Sequence, residues 1–516
     1  MSICKKTSMV LFTAVIMACF GCIQCSGDNG TAVPGNNVPQ SLVQMAEVLS
    51  LNLERDGFET TRGYFYQFTV TDCQYPIAIM GNCFANNPVA PYINYAVPAW
   101  PEEFVDPTLV NLFGPTPPGY NSIFRFDPRE AVIILAQLPP PAAYFGMQTY
   151  QFTREGTINT SDPIYLWLGL ISPLIQKMFF DYAPDPSRLR ILASIGNANN
   201  NVVVERQSGA SFGQERYFIT TPDQFMARTM TQYLHDAGVT DTSQIFVEPV
   251  SSAMTTGLGK SAYDFLFLMR FAMPQNKTDA DTWRTNLPMI VLRVRDKNTS
   301  RAPEPYPGPA LDTRDAVDEA YLQTDLNNLS IALKNHWKQP AATQLMTFDG
   351  QSTIDLVGPD CEVRGMNCQA DAQDTTYIGS TQGGLDNQEV YSVMGTMATL
   401  TGNATYVNVS LYEAAWLYGV ESIDNTQIEG SAAKFCASAD CTGINNIDKF
   451  YLLYLTRDCQ SLGLTNCFSI GPEKIPPGKQ FKIIQRTYIK PGTERGPDSI
   501  KLALPLMFQL DGSKMK

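Results

Sequence analysis

Histidine is almost missing from this chain: 516 residues contain two, His235 and His336. A histidine-rich metal site is therefore excluded. A carboxylate calcium site needs no histidine, but the acidic stretch Asp386-Asn387-Gln388-Glu389 lacks EF-hand spacing. No CxxC pair follows the first 26 residues, so the commonest zinc spacing is absent. The glycine-containing STQGGLDN carries no Walker lysine, and neither a dinucleotide fingerprint nor a GxSxG serine elbow occurs. ATP, NAD and FAD have no support, and neither a metal nor a cofactor is expected. Positive charge is also scarce, with 37 Lys and Arg against 50 Asp and Glu, a net −13. That balance opposes nonspecific nucleic-acid binding, and no sustained basic helix offsets it.

Cysteine, by contrast, is present and paired. Four of the twelve lie near the start, at Cys4, Cys19, Cys22 and Cys25. There, Lys5 and Lys6 precede an apolar run from Met9 to about Phe20 and then small residues. That order is expected of a secretory signal over 1–26, and Cys22 and Cys25 lack a convincing lipobox before them. The remaining eight fall in neighbouring pairs: Cys73 and Cys83, Cys361 and Cys368, Cys436 and Cys441, Cys459 and Cys467. Local disulfides within each pair are the simplest expectation in an oxidising compartment. Seven Asn-X-Ser/Thr sequons stand at Asn29, Asn159, Asn276, Asn298, Asn328, Asn403 and Asn408. Together they favour a glycosylated extracellular protein whose sequons face solvent.

Two cysteine pairs share a pattern. TDCQYPIAIMGNCF from Thr71 and RDCQSLGLTNCF from Arg457 both read Asp-Cys-Gln, an insert, then Asn-Cys-Phe. Each follows an aromatic strand, GYFYQFTV or KFYLLYLT. Turn formation explains Asp72 and Asp458 better than catalysis does.

The periodicity predicts a mixed α/β to α+β fold, a predominantly antiparallel β-sheet scaffold with packed helices and Pro-rich connections. Two domains are expected: a mixed α/β domain over 27–310, then a helix and a disulfide-containing β-rich domain over 311–516. Leu42, Val43, Met45, Ala46 and Leu49 mark one face of a helix. RLRILASI and VVVE read as strands around an asparagine turn. RYFITT, PDQFMARTMTQYLHDAG and SQIFVEPV read as a strand–helix–strand unit, with Thr220 or Thr221 as the cap. RDAVDEAYLQTDLNNLSIALKNHW reads as a helix burying Val317, Ala320, Tyr321, Leu333 and Trp337. PIYLWLGLISPLIQKMFFDY is interrupted by Pro173 and Lys177, which points to a buried helix or helix pair and against a transmembrane segment.

Candidate chemistry is sparse. Tyr150, Arg154 and Glu155 offer aromatic, cationic and acidic groups at a strand end, where sheet packing and a solvated turn are the plainer roles. Glu205 and Glu389 supply two carboxylates for hydrolysis if the fold brings them together. His235 stands near a helix end, where capping competes with acid–base work. Asn197, Asn199, Asn200 and Asn201 suit either ligand binding or a polar turn.

The expectation is a secreted or extracellular glycoprotein, with cell-surface association open, that provides a recognition or assembly surface. Its partner would be an extracellular protein, a glycan, a small-molecule ligand or a second copy of itself. The alternatives are a cofactor-independent hydrolase of an extracellular small molecule or glycan, and a structural matrix or surface-filament component.

Overall fold

The computed structural model describes residues 38–171, 173–309, 311–349 and 358–515. The leader-like segment 1–26, with its four cysteines, and Asn29 lie outside the described residues. The fold is mixed α/β with mostly antiparallel sheets, one of them a curled half-barrel.

The half-barrel takes its strands from the first three-fifths of the chain. They are β1 (Phe58–Phe68), β2 (Tyr92–Pro98), β3 (Tyr120–Asn121), β4 (Glu130–Gln137), β5 (Ala142–Glu155), β6 (Arg188–Ser194), β7 (Asn199–Asn200), β8 (Glu215–Thr221), β9 (Ile245–Pro249), β10 (Phe265–Pro274) and β11 (Met289–Asp296). The spatial order is β6-β5-β10-β2-β1-β11-β4-β8-β9, with β3 beside β2 and β7 beside β5. Alternation in these strands sends two side-chain sets to opposite faces. Val132, Ile134, Phe218, Val291, Phe267 and Met269 join one core. Ala131, Ile133, Leu135, Ile219, Ile290 and Leu292 join another beneath α1 (Gln40–Arg55). Leu42, Ala46, Leu49 and Leu53 are the residues α1 buries fully, while Val43 and Met45 are only partly covered. Each buried leucine contributes about 1.5–3 kcal/mol.

Six further helices serve this region: α2 (Gln74–Met80), α3 (Pro163–Ile171), α4 (Pro173–Phe179), α5 (Asn201–Ser208), α6 (Gln224–Asp236) and α7 (Lys277–Asn286). The expected strand–helix–strand unit is β8-α6-β9, and β8 and β9 are parallel. Its cap is Asp223, whose carboxylate accepts from Phe225 N, rather than Thr220 or Thr221. Thr221 Oγ1 instead donates to Glu130 O. VVVE, expected as a strand, is helix α5. Asn200 decides this, because its side chain accepts from Val202 N and Val203 N and starts the helix.

The second sheet system is a sandwich. Its strands are β12 (Thr343–Leu345), β13 (Thr347–Asp349), β14 (Thr375–Ser380), β15 (Gly383–Gly384), β16 (Glu389–Thr396), β17 (Tyr406–Glu413), β18 (Tyr418–Asp424), β19 (Phe450–Thr456), β20 (Cys467–Ser469), β21 (Gln480–Tyr488) and β22 (Leu506–Asp511). One sheet runs β12-β22-β16-β19-β20, the other β13-β14-β21-β17-β18 with β15 beside β21. Tyr391, Val393, Leu453 and Met507 from the first meet Val409, Leu411, Phe481 and Ile483 from the second. Helix α8 (Gln323–His336) covers the outer face of the first sheet through Leu326, Leu329 and Leu333.

The chain before α8 departs from the expected helix. Val317 and Tyr321 are exposed, not buried. Tertiary bonds hold this stretch out of the helix. Val317 N donates to Asn403 Oδ1, and Asn403 Nδ2 donates to Val317 O. Glu319 is fully buried and accepts from Thr396, Thr401, Asn403 and Ala503 N.

Four disulfides join the neighbouring cysteines: 73–83, 361–368, 436–441 and 459–467. The two matching stretches lie on different sheet systems, after β1 and after β19. Asp72 closes a turn by accepting from Thr69 N, and Asp458 does so by accepting from Gln460 N and Ser461 N.

Candidate functional site

The two sheet systems enclose a cavity of about 300 Å³. One wall is the outward face of β21. Period-two alternation sends Phe481 and Ile483 into the sandwich core and Lys482, Ile484 and Arg486 to the cavity. In register beside them on β14, Tyr377 faces Arg486 and Gly379 faces Ile484, where the absent side chain leaves room. Opposite stand Phe84 and Ala85, which directly follow the Cys73–Cys83 staple, and Tyr92 of β2.

The helix pair α3–α4 and the loop Cys368–Asp371 complete the lining. Backbone bonds fix the loop against β6: Cys368 N donates to Ile191 O and Ala370 N to Leu192 O. Asn367 N ties it to Phe179 O at the end of α4. The helix pair forms as expected, yet it is not a buried one. Of α3 only Leu168 is fully buried, while Leu166, Trp167, Leu170 and Ile171 are exposed, Leu170 at 87%. Trp167 and Ile171 are both exposed and part of the lining, so the cavity reaches the surface beside α3. No helix among the described residues is long and apolar enough to cross a membrane.

The polar groups of the lining divide sharply. Asp371 is buried and satisfied, accepting from Ser194 N, Ser194 Oγ, Gly358 N and Gln373 Nε2. Burial raises its pKa, and the Ser194 and Gly358 bonds oppose that. Arg486 is held by Ser410 Oγ at 3.1 Å and Ala85 O at 2.6 Å, with its guanidinium near the Tyr377 and Tyr412 rings. Burial pushes the Tyr377 hydroxyl up to about 12, against the pull of Arg270 and Arg486. Lys482 is different. It is only 8% exposed, and among the described residues its ammonium makes no ion pair or hydrogen bond. Burial alone lowers its pKa.

The polar residues singled out from sequence stand elsewhere. None of Tyr150, Arg154, Glu205, Glu389 and His235 lines this cavity. Tyr150 is buried on β5 and accepts from Arg270 Nη2 at 2.8 Å. Arg154 reaches the Glu362 carbonyl, and Glu155 ends the same strand, exposed. Glu205 is exposed on α5. Glu389 lies on β16, accepting from Gln509 Nε2. His235 Nδ1 contacts Val239 O at the end of α6, a capping geometry. Asn200 caps α5, and Asn201 accepts from Phe145 N.

Among the sequons, Asn159, Asn276 and Asn298 are exposed, and Asn328 is half-buried with its amide on Gly443 O. Asn403 and Asn408 depart from the expected solvent-facing position, since both are fully buried. The Asn403 amide is committed to Val317 and Glu319, and that of Asn408 donates to Ser422 Oγ. A glycan on either has no route to solvent in this fold.

Lys482 and Arg486 escaped sequence reading because a strand with charges on alternate positions resembles an ordinary solvated face. FKIIQRTYIK did mark the strand, but not what covers it.

No protein-family model and no curated protein matches this chain. A solved structure of an uncharacterized protein from Burkholderia cenocepacia aligns over 92% of this chain and 88% of its own, with 10% identity and a TM-score of 0.36. A likeness at that level carries no argument about fold or function.

Proposed function

We propose that the protein is a secreted binding protein that takes a small apolar molecule into the cavity between its two sheet systems. The observation that carries this reading is the cavity's construction. Leu168, Ile175, Met178, Phe179 and Ile484 supply its apolar wall, and the opening lies beside the exposed apolar residues of α3. Exposed apolar clusters of this kind mark interaction sites. The volume falls at the low end for small-molecule sites, about 300–1,000 Å³. Secretion is supported by the leader-like start, the exposed sequons and four disulfides, which an oxidising compartment sustains. The hydrolase reading gains no support, because its five candidate residues stand apart from the cavity.

The test is binding of the neutral dye Nile red to the secreted, oxidised protein. Ile484→Trp fills the cavity and is expected to lose dye binding while the unfolding transition stays cooperative. Unchanged dye affinity in that folded variant would remove the cavity from the reading.

A further inference from the structure

The cavity is lined by two cations without a carboxylate partner, Lys482 and Arg486, and only Arg486 is hydrogen-bonded by the protein. Among the described residues, the other buried cations all have hydrogen-bond or ion-pair partners. Arg293 pairs with Glu103 and Glu130, while Arg125 and Arg188 share Asp264. Arg270 donates to Tyr150, and Arg486 is held by Ser410 and Ala85. Among the described residues, Lys482 is the one buried lysine, and its ammonium has no partner in the protein, the nitrogen itself remaining reachable from open space. Its strand cannot turn it outward, because Phe481 and Ile483 are locked into the sandwich core and period two fixes the opposite face.

An isolated ammonium removed from water is costly unless paired. The side chain as a whole is more than nine-tenths hidden, while its nitrogen stays reachable. We infer that Lys482 is the head-group anchor of the cavity and that the ligand is an aliphatic amphiphile with a single anionic head, of the carboxylate type. The head accepts a charge-assisted hydrogen bond from the Lys482 ammonium. The chain lies against Ile484, Leu168, Ile175, Met178 and Phe179. Asp371, the carboxylate of the lining, does not compete for the ammonium, because its oxygens are occupied by Ser194, Gly358 and Gln373. The modest volume favours a medium-length chain.

This inference rests on the cavity reading, and the experiment separates the two. Decanoate and decanol, which share a chain and differ in head charge, are each titrated against Nile red bound to wild type, Lys482→Met and Lys482→Arg at neutral pH. Wild type is expected to prefer decanoate by about ten- to hundredfold, the range of a charged hydrogen bond. Lys482→Met, which is close in volume and removes the unpaired charge, is expected to lose that preference while still binding decanol and the dye. Lys482→Arg is expected to restore part of it. Equal binding of both ligands to wild type, with Lys482→Met changing neither, would overturn the anchor and leave the cavity standing. Failure of both ligands and the dye to bind folded wild type would overturn the cavity, and the anchor with it.

Discussion

The half-barrel and the cavity beside it treat buried positive charge in opposite ways. Inside the half-barrel, Arg293 is fully buried and fully answered. Its Nε and Nη2 bond Glu130, Nη1 bonds Glu103, and Trp100 Nε1 also donates to Glu130. Across the cavity wall, Lys482 is buried as a residue and has no partner among the described residues. The contrast separates charge neutralised within the fold from charge that is not. Buried ion pairs of the first kind are not strong net stabilisers, but breaking one leaves an uncompensated charge behind.

The largest expected effect comes from taking away one of the two carboxylates that Arg293 pairs with. Glu130→Ala leaves Arg293 with Glu103 alone and should destabilise by about 3–5 kcal/mol, measured by denaturant unfolding. A loss under about 1 kcal/mol would mean water or rearrangement readily replaces the carboxylate, and the contrast would lose its force.

Next come the two matching staples. Replacing both cysteines by serine at 73 and 83, or at 459 and 467, should each cost about 2–3 kcal/mol, since the loops are of similar length. Only the first staple directly precedes cavity residues, Phe84 and Ala85. Nile red affinity should therefore fall for the first pair and hold for the second. An equal fall would show that the dye reads global stability rather than the cavity wall.

The smallest effect is Lys482→Met, expected to leave stability unchanged or raise it by about 1 kcal/mol near neutral pH by removing an unpaired buried charge. The pH dependence sharpens this. The Lys482 pKa is lowered in the fold, so between that value and its ordinary 10.5 the unfolded chain binds more protons. Wild-type stability therefore rises with pH through this window relative to the variant, and the variant's advantage should shrink as pH approaches 10.5. The other titratable or charged groups of the wall, Tyr92, Tyr377, Arg486 and Asp371, are common to both proteins and cancel in the difference. An advantage that does not change with pH would mean the ammonium is not the source.

Much of the scaffold was legible residue by residue. The four disulfides join partners at most ten positions apart. The β8-α6-β9 unit and the α1 face followed from apolar periodicity, which neighbouring residues carry. One misreading has a local cause and the other a distant one. VVVE has strand propensity, but the Asn200 cap outweighs it. The stretch before α8 has helical spacing, but bonds from Val317 to Asn403 and from Glu319 to Thr396 and Thr401, far along the chain, hold it out of the helix.

What the sequence by itself determined was the set of elements and staples, because hydrogen-bonding period, capping and short loops depend on near neighbours. The tertiary structure decided which faces those elements hide. The cavity gathers Phe84, Tyr92, Leu168, Cys368, Tyr377 and Lys482 from segments hundreds of residues apart. Alternation along β21 shows that Lys482 and Arg486 share a face. Only the docking of the half-barrel against that face turns a pattern normally left to water into a buried cation in an apolar chamber.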